Sequence, residues 1–346
     1  MAEGDAAEVD AVPAPRDERE WPVPWQPVWG DQTGFSARFG TWAVRATLAG
    51  ASRLPEPVLA LLLGGLASLG ARFGRRRSRA AREFLAQALG ELAPRERERL
   101  VRRGWLQLLR VSLDTERLVR VPRARLREHF EVRYAPGVQR VLEERRGCLV
   151  AAGHVGNWEA GFAVLPALGL HPVYGVAKPP KNRFLSQALQ ASRERWGVRV
   201  LSRKGAIADA PAILRAGGTI ALVIDQRTSG RALLVPFFGR LARCERAPAV
   251  LLKRQRVPIV VASCRMTGPL AYLLEFHEAL LPEEWARREV EEIVLRVNQV
   301  LERVIRETPE QYVWIHDRYR DTPRALEPSA RPRLRRGGLP DAPEVE

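Results

Sequence analysis

The second half of this chain alternates between short apolar segments of strand length and longer segments with helical spacing, and this alternation restricts its fold. The segments that read as strands are 148–152, 173–177, 198–201, 219–224, 259–264 and 272–276. Helical segments lie between them, at 158–168, 182–196, 206–215 and 247–255. Strands that alternate with helices form parallel sheets, because each helix carries the chain back across a face of the sheet. The sequence therefore predicts an α/β fold with a mostly parallel central sheet flanked by helices.

The remaining segments divide into two tails and a helical region. Residues 1–35 are rich in alanine, proline and acidic residues and lack the features of a secretory signal, so we expect a disordered tail. From 36 to 135 apolar residues recur every three or four positions, which predicts helices. A final helix is expected at 284–307, and 326–346 reads as a basic, proline-rich disordered tail. One α/β domain is thus predicted at 136–325.

An uncharged apolar run followed by arginines makes the helical region a candidate for membrane contact. The run, at 57–71, is shorter than the roughly 20 residues that a spanning helix needs. We therefore expect a helix that lies at, or inserts shallowly into, the membrane surface, with its arginines on anionic headgroups. A core helix followed by a solvated basic helix is the alternative. The arginines are Arg72, Arg75, Arg76, Arg77, Arg79 and Arg82.

Charge and cysteine content restrict the partners and the compartment. The formal net charge is +16, which predicts anionic partners. Nucleic acid would be one such partner, but the sequence has no helix-turn-helix, RNA-recognition or zinc signature, so we predict membrane lipids and no nucleic acid. The 3 cysteines, Cys148, Cys244 and Cys264, form no C-x-x-C pair, which argues against a zinc site and a disulfide framework. The cysteine pattern therefore predicts that the protein faces a reducing compartment, the cytoplasm.

A histidine and a glutamate five residues apart follow the strand predicted at 148–152. His154 is expected just past the end of that strand, where open α/β sheets bind ligands, and Glu159 in the first turn of the next helix. A neutral imidazole there can take a proton from a hydroxyl while a carboxylate holds the ring. We therefore predict His154 as a general base and Glu159 as its orienting partner. A structural pair in a tight strand-to-helix turn is the alternative.

Other polar residues are predicted near the same edge of the sheet. Asp225 follows the apolar strand at 219–224 and is placed to help position a substrate, with a loop-capping aspartate as the alternative. Lys178 follows another strand and Arg193 lies in the next helix, where both can bind phosphate or carboxylate, with a solvated helix face as the default alternative. Asn157, at the start of its helix, completes the predicted substrate-binding residues.

Two adjacent aromatic residues are candidates for an acyl-chain pocket. Phe237 and Phe238 are costly to leave exposed, and ordinary core packing explains them almost as well. The sequence has no G-x-S-x-G elbow, P-loop or dinucleotide fingerprint, and no cysteine with the neighbours of a nucleophile. Direct transfer to an acceptor is therefore favoured over a covalent enzyme intermediate, and neither a metal nor an organic cofactor is predicted.

Taken in order, these segments resemble the motifs of the lipid A biosynthesis acyltransferases, the lauroyl- and myristoyltransferases that complete the secondary acylation of lipid A. The resemblance covers about residues 40–325. Its most specific motif is the last, because Tyr, Trp, His and basic residues at fixed offsets rarely arise by chance. The motifs are GHVGNWE at 153–159, KPPKN at 178–182, LRAGGTIALVIDQ at 214–226, VPFFG at 235–239 and PEQYVWIHDRYRDTP at 309–323.

The resemblance implies a glycerolipid-acyltransferase-like fold at the cytoplasmic face of the inner membrane. It also implies an acyl carrier protein or coenzyme A thioester as co-substrate and a lipid hydroxyl as acceptor. His154 then carries over as general base and Glu159 as its partner, the family's helix arginine falls on Arg193, and its acidic residue after the long strand falls on Asp225.

The C-terminal motif and the segment after VPFFG leave alternatives open. Trp314, His316 and Arg318 match the C-terminal motif, with a structural or headgroup-binding role. The segment 240–246 departs from the small residues and threonines common in the family. Lipid A or a lipid A precursor is the expected acceptor; a lysophospholipid, a phosphoinositol mannoside or an aminolipid is the alternative.

Overall fold

A computed structural model describes residues 21–24, 29–203, 206–228, 230 and 232–322 of the chain. The tail predicted at 326–346 and most of the one predicted at 1–35 lie outside these residues. The α-helices are α1 Phe35–Ala51, α2 Glu56–Phe73, α3 Arg75–Leu89, α4 Pro94–Leu118, α5 Val138–Glu143, α6 Trp158–Val164, α7 Arg183–Arg195, α8 Ala206–Arg215, α9 Ala247–Gln255, α10 Pro282–Trp285 and α11 Val290–Glu307. The strands are β1 Phe130–Tyr134, β2 Cys148–Gly156, β3 Val173–Ala177, β4 Val198–Ser202, β5 Thr219–Val223, β6 Leu233–Phe237, β7 Arg240–Cys244, β8 Ile259–Gly268 and β9 Ala271–Leu280.

A 7-stranded sheet in the order β1-β9-β8-β2-β5-β3-β4 forms the centre of the fold. All neighbouring strands in it run parallel except β8 and β9, which are antiparallel. Its central strands are almost continuously apolar, as expected for strands covered on both faces. The predicted α/β fold with a mostly parallel sheet is confirmed. Because β2 and β5 are neighbours, the residues that follow them meet at one edge.

The sequence patterns did not predict some of the strands, and the bounds of other elements differ from the predicted ones. The edge strand β1 was not predicted, and β6 and β7 form a separate 2-stranded antiparallel hairpin. The helix predicted at 158–168 ends as an α-helix at Val164 and continues as a 3₁₀ turn, Leu165–Leu168. Within the stretch predicted as an N-terminal tail, Trp21 packs edge-on against His171 and Tyr174, and the Arg199 guanidinium lies 4.1 Å from its ring centre.

The N-terminal helices share the main core with the sheet. Phe84 of α3 and Leu100 of α4 are buried in the same cluster as residues of β2, β5 and the C-terminal motif. Helix α2 lies along α4, and Leu59 and Leu63 are buried against Leu113. At the start of α2, Glu56 forms ion pairs with Arg110 and Arg117 of α4. These contacts hold α2 to α4 at its N-terminal end.

Helix α2 also has the composition of a membrane helix. Among the described helices it is the one that is long and apolar enough to cross a bilayer, judged by length and composition only. Its 18 residues give a length of about 27 Å, slightly less than a typical hydrocarbon core. Beside the buried residues, α2 carries exposed apolar side chains, and they are Leu61, Leu62, Leu66, Leu69 and Phe73.

Candidate active site

An irregular stretch of β2 presents His154 to solvent. The strand continues past Ala152, where it was predicted to end, and its pairing with β8 shifts register between Ala152 and Gly156. Gly156 has φ +56, and a Cβ on it would lie 1.9 Å from the Cys264 carbonyl oxygen, so only glycine fits there. Such an interruption re-aims side chains without ending the strand. The His154 side chain is consequently 16% exposed.

Asp225, directly beyond β5, fixes the orientation of His154. One carboxylate oxygen lies 2.6 Å from Nδ1 of the imidazole, and the other accepts the backbone N–H of His154 at 2.8 Å. An ionised carboxylate accepts hydrogen bonds only, so Nδ1 carries the proton and Nε2 is left as the basic nitrogen. The prediction that Glu159 holds the ring is wrong, because Asp225 does so; Asp225 itself is buried.

The charge on Asp225 is maintained by its hydrogen-bond partners. Burial by itself raises the pKa of this carboxyl, but His154 and the Tyr312 hydroxyl, which both donate to it, outweigh burial and lower the pKa to about 2. Tyr312 belongs to the C-terminal motif, and the N–H of the next residue, Val313, donates to the His154 carbonyl at 3.2 Å. The C-terminal motif therefore makes a hydrogen bond to each member of the His154–Asp225 pair.

The other residues of the C-terminal motif also have structural roles. The backbone N–H of Arg227 donates to Nε2 of His316 at 3.0 Å, and burial, with neighbouring arginines, lowers the His316 pKa to about 4. Trp314 is buried and donates to the Pro309 carbonyl at 2.6 Å. Arg318 is buried and donates to the Arg243 carbonyl at 2.9 Å. These contacts support the structural alternative for the motif.

Gln226 contacts the basic nitrogen of His154, and sequence reasoning did not include it in the site. Its side-chain amide nitrogen lies 3.1 Å from Nε2. Because Nε2 is unprotonated, the amide N–H is the donor. The position next to Asp225, at the end of a strand beside β2, was the available signal. The amide occupies the direction from which a hydroxyl would approach the base.

Glu159 forms an ion pair with Arg193. The guanidinium donates to both carboxylate oxygens, at 3.0 and 2.6 Å. Burial raises the pKa of Glu159, but Arg193 outweighs that effect and lowers the pKa below its ordinary value. The first turn of α6 directs Glu159 toward α7, which explains why it does not hold the His154 ring.

A cavity of about 360 Å³ opens beside His154. Glu159, Arg193, Lys178 and Gln226 line it together with His154, so most of the predicted polar residues meet there. Arg203, Arg227 and Glu245 line it as well, and the apolar part of its wall includes Trp158, whose ring centre lies 4.5 Å from that of His154. A site with a few convergent polar groups on an apolar wall is typical of small-molecule binding.

Asn157 does not reach this cavity, contrary to the prediction that it binds substrate. Its side chain is fully buried, and its oxygen accepts the backbone N–H of Ala160 at 3.0 Å. It therefore caps the N-terminus of α6, as asparagine commonly does.

Phe237 and Phe238, the predicted acyl-pocket residues, also lie outside the cavity lining and are packed in the core, which supports the core-packing alternative. Phe238 has φ +50 and Gly239 φ +72, the two positive values of the tight turn that joins β6 and β7. Both aromatic rings are buried against Phe84 of α3. The motif thus builds a hairpin that packs into the core. Among the described residues, no group of His, Cys, Asp and Glu side chains is arranged to hold a metal ion.

Comparison with known proteins places this geometry in a family. Residues 33–321 match the model of the bacterial lipid A biosynthesis acyltransferases. The chain is 24% identical over 276 residues to the lipid A biosynthesis palmitoleoyltransferase of Escherichia coli K12, covering 78% of this chain and 88% of that protein. It is 25% identical over 292 residues to the lipid A biosynthesis lauroyltransferase of the same organism, covering 83% and 93%. The chain is an acyltransferase and belongs to the bacterial lipid A biosynthesis acyltransferase family.

Proposed function

We propose that this enzyme transfers a fatty acyl group from an acyl thioester to a hydroxyl of lipid A or a lipid A precursor, with His154 as the general base. The observation that carries the proposal is the His154–Asp225 pair, whose unprotonated Nε2 faces a largely apolar cavity. The relatives are named for lipid A biosynthesis, which supports this class of acceptor.

The reaction follows from the hydrogen bonds of His154. The acceptor hydroxyl displaces the Gln226 amide from Nε2, and its proton moves to Nε2 as its oxygen attacks the thioester carbonyl carbon. A C–O bond forms, and the carbonyl π electrons move onto oxygen to give a tetrahedral oxyanion. When the carbonyl re-forms, the C–S bond breaks and the imidazolium returns the proton to the thiolate sulfur. The Asp225 carboxylate stabilises the imidazolium between these steps.

Gln226 is the best-placed donor for the oxyanion. In the free enzyme its amide is 3.1 Å from the nitrogen that receives the proton, so once displaced it remains next to the reacting carbonyl. The guanidinium of Arg193 is held by Glu159 through two hydrogen bonds. At the start of α6, the Ala160 amide is already bonded to Asn157. We therefore assign the oxyanion to Gln226, with Lys178 and the Arg193–Glu159 pair, which also line the cavity, left to contact polar groups of either substrate.

We infer a shallow attachment at the cytoplasmic face of the inner membrane. Phe35, Phe39 and Trp42 are exposed along one face of α1, and the apolar face of α2 opposite α4 is exposed as well. Contiguous apolar surface of this kind is a membrane or partner site in soluble proteins. The arginines at the start of α3 supply the attraction to anionic headgroups. Because one face of α2 packs on α4, the helix is better placed to lie in the interface than to cross the bilayer.

Acyl transfer by the purified, detergent-solubilised full chain tests this proposal. Acyl carrier protein and coenzyme A thioesters are offered with a lipid A precursor, a lysophospholipid, a phosphoinositol mannoside and an aminolipid, and His154→Ala is the control. We expect transfer to the lipid A precursor that the His154 variant has lost while its circular dichroism spectrum and melting temperature are unchanged. A folded wild-type protein that transfers from neither donor contradicts the proposal; transfer to another acceptor alone retains the chemistry and replaces lipid A.

A further inference from the structure

The cavity beside His154 reaches over the edge of the sheet and has an arm on each face. Successive residues of a strand point to opposite faces, and residues paired in register share a face. Gly175 pairs with Val200, whereas its neighbour Val176 pairs with Leu222, so these pairs lie on opposite faces. Val198, two residues before Val200 and so on the same face, belongs to a buried cluster that includes α6, whereas Leu222 belongs to one that includes α8 and α9.

We call the two parts of the cavity the α6–α7 arm and the α8–α9 arm. The α6–α7 arm is lined by Phe162, Ala163, Gly175, Trp196, Val198 and Val200. The α8–α9 arm is lined by Val176, Ala206, Ile207, Ile220, Leu222 and Leu251. Both arms meet at His154, where the acyl transfer takes place in the proposed function.

The two arms differ in their access to solvent at Ile207. Ala163, Trp196 and Val198, in the α6–α7 arm, are all buried. In the α8–α9 arm Ala206, Ile220, Leu222 and Leu251 are buried as well, but Ile207 is 56% exposed and opens that arm at one position. An enclosed apolar space limits the length of a chain that it accepts, whereas an open one lets additional methylenes extend into solvent.

Gly175 widens the α6–α7 arm in the middle of β3. A Cβ on it would lie 3.8 Å from Cγ1 of Val198 and 4.0 Å from Cγ2 of Val200, with no other atom within 4 Å. The backbone is not in the left-handed region, so nothing in its conformation requires glycine. Glycine inside a strand weakens the strand, and it often marks a position where a ligand approaches closely. At this position glycine gives space within the arm.

We propose that the α6–α7 arm holds the acyl chain of the thioester donor and that Gly175 sets the longest chain the enzyme transfers. The inference rests on the proposed acyl transfer and adds the location of the chain and the residue that limits it. The ester-forming carbon lies at His154, and the chain extends from it between the sheet and α6 to the closed end at Trp196 and Val198. Each methylene excluded from this arm costs about fourfold in kcat/KM.

Measuring kcat/KM for acyl-coenzyme A donors of increasing chain length tests this inference. In Gly175→Ala we expect the longest donors that the wild type uses to lose about fourfold, and in Gly175→Val tenfold or more, with short donors unaffected. The alanine Cβ makes ordinary van der Waals contacts only, so this variant keeps the test valid if the valine variant does not fold. Ile207→Trp, in the α8–α9 arm, is the matched control and should leave the chain-length profile unchanged.

Two outcomes overturn the inference. One is a wild-type profile in both Gly175 variants; the other is a shift toward shorter donors in Ile207→Trp alone, which puts the chain in the α8–α9 arm. Binding of acyl-coenzyme A thioethers, which cannot react, gives a second readout. If the wild type transfers no acyl group yet the Gly175 variants bind long thioethers more weakly, the proposed reaction fails and the location of the chain stands. If they bind them as the wild type does, the location fails as well.

Discussion

Asp225 and Glu159 are both carboxylates near His154, and their different partners predict different roles. Asp225 makes two hydrogen bonds to His154, whereas Glu159 makes two to Arg193. Asp225→Asn removes the charge that stabilises the imidazolium, so we expect kcat to fall by on the order of 10²- to 10⁴-fold with little change in KM. Glu159→Gln leaves the His154–Asp225 pair intact and should act mainly on KM. Steady-state kinetics of both variants measure this difference.

The melting temperature of each variant is the control, because Asp225 is buried and Glu159 forms an ion pair with Arg193. The assignment of Asp225 is contradicted if Glu159→Gln lowers kcat as much as Asp225→Asn does while KM stays at the wild-type value. That result would return the orienting role to Glu159, the residue that sequence spacing alone suggests.

Gln226 provides a second prediction at the level of single residues. If its amide donates to the oxyanion, Gln226→Ala should lower kcat by about 10²- to 10³-fold, the usual effect of losing one such donor. Gln226→Glu keeps the size of the side chain but places a carboxylate beside the developing negative charge, so it should be the less active of the two variants. If Gln226 served only to occupy Nε2 in the free enzyme, Gln226→Ala would keep the wild-type kcat and lower KM for the acceptor.

The edge of the sheet was predictable from sequence, but the pairing within the site was not. Parallel strands end together, so His154 and Asp225 could be placed at one edge from the strand pattern alone. Which carboxylate meets the imidazole depends on the register shift between Ala152 and Gly156, and no local pattern reveals it. Spacing along the chain favoured Glu159, although the ring turns toward β5.

Helix α2 gives a prediction at the level of an element. Leu61 is 77% exposed on the face of α2 opposite α4. If this face rests in the membrane, the Leu61 side chain is buried in lipid there. Leu61→Asp then replaces this apolar contact with a charge, which should weaken binding to anionic vesicles by tenfold or more. Co-sedimentation with vesicles measures it. Leu234→Asp, at a leucine 49% exposed on β6, is the matched control and should bind like the wild type. Equal losses in both variants would contradict a membrane role for α2.

At the same scale, regular elements were predicted better than turns. Helices α8 and α9 have the predicted bounds, because apolar residues recur along them with helical spacing. The β6–β7 hairpin was missed because Pro236 and the adjacent aromatics mask its strand pattern. Its turn puts a phenylalanine at φ +50, a position where sequence reasoning expects glycine or asparagine. The surrounding packing, including the Arg306 guanidinium 4.6 Å from the Phe238 ring centre, stabilises that conformation.

The molecule as a whole joins its N-terminal helices to the sheet through one core. Phe84 of α3 packs against Trp314 and Tyr319 of the C-terminal motif, at ring-centre distances of 5.1 and 5.3 Å. If the N-terminal helices rest on the membrane as proposed, this shared core holds the cavity at a fixed position relative to the bilayer. This connection joins residues more than 200 positions apart, and no local sequence pattern could have predicted it.

Buried histidines make the stability of the whole molecule depend on pH. Burial, with neighbouring arginines, lowers the pKa of His171, His277 and His316 to about 4, whereas the unfolded chain titrates near 6.5. Above pH 6.5 these histidines are neutral in both states and do not reduce the free energy of unfolding. As the pH falls from 6.5 toward 4, the unfolded state binds more protons than the folded state, so the free energy of unfolding decreases. We expect each histidine to reduce the free energy of unfolding by on the order of 2 kcal/mol at pH 4.

Urea unfolding at a series of pH values measures this loss. His277→Gln cannot titrate, so its unfolding free energy should fall less steeply between pH 6.5 and 4 than that of the wild type; parallel curves would contradict the role of His277. The pKa of Asp225 is about 2, so protonation of Asp225 lowers the free energy of unfolding only below the pH range in which the histidines titrate. The effects of Asp225 and of the histidines are therefore separated by pH.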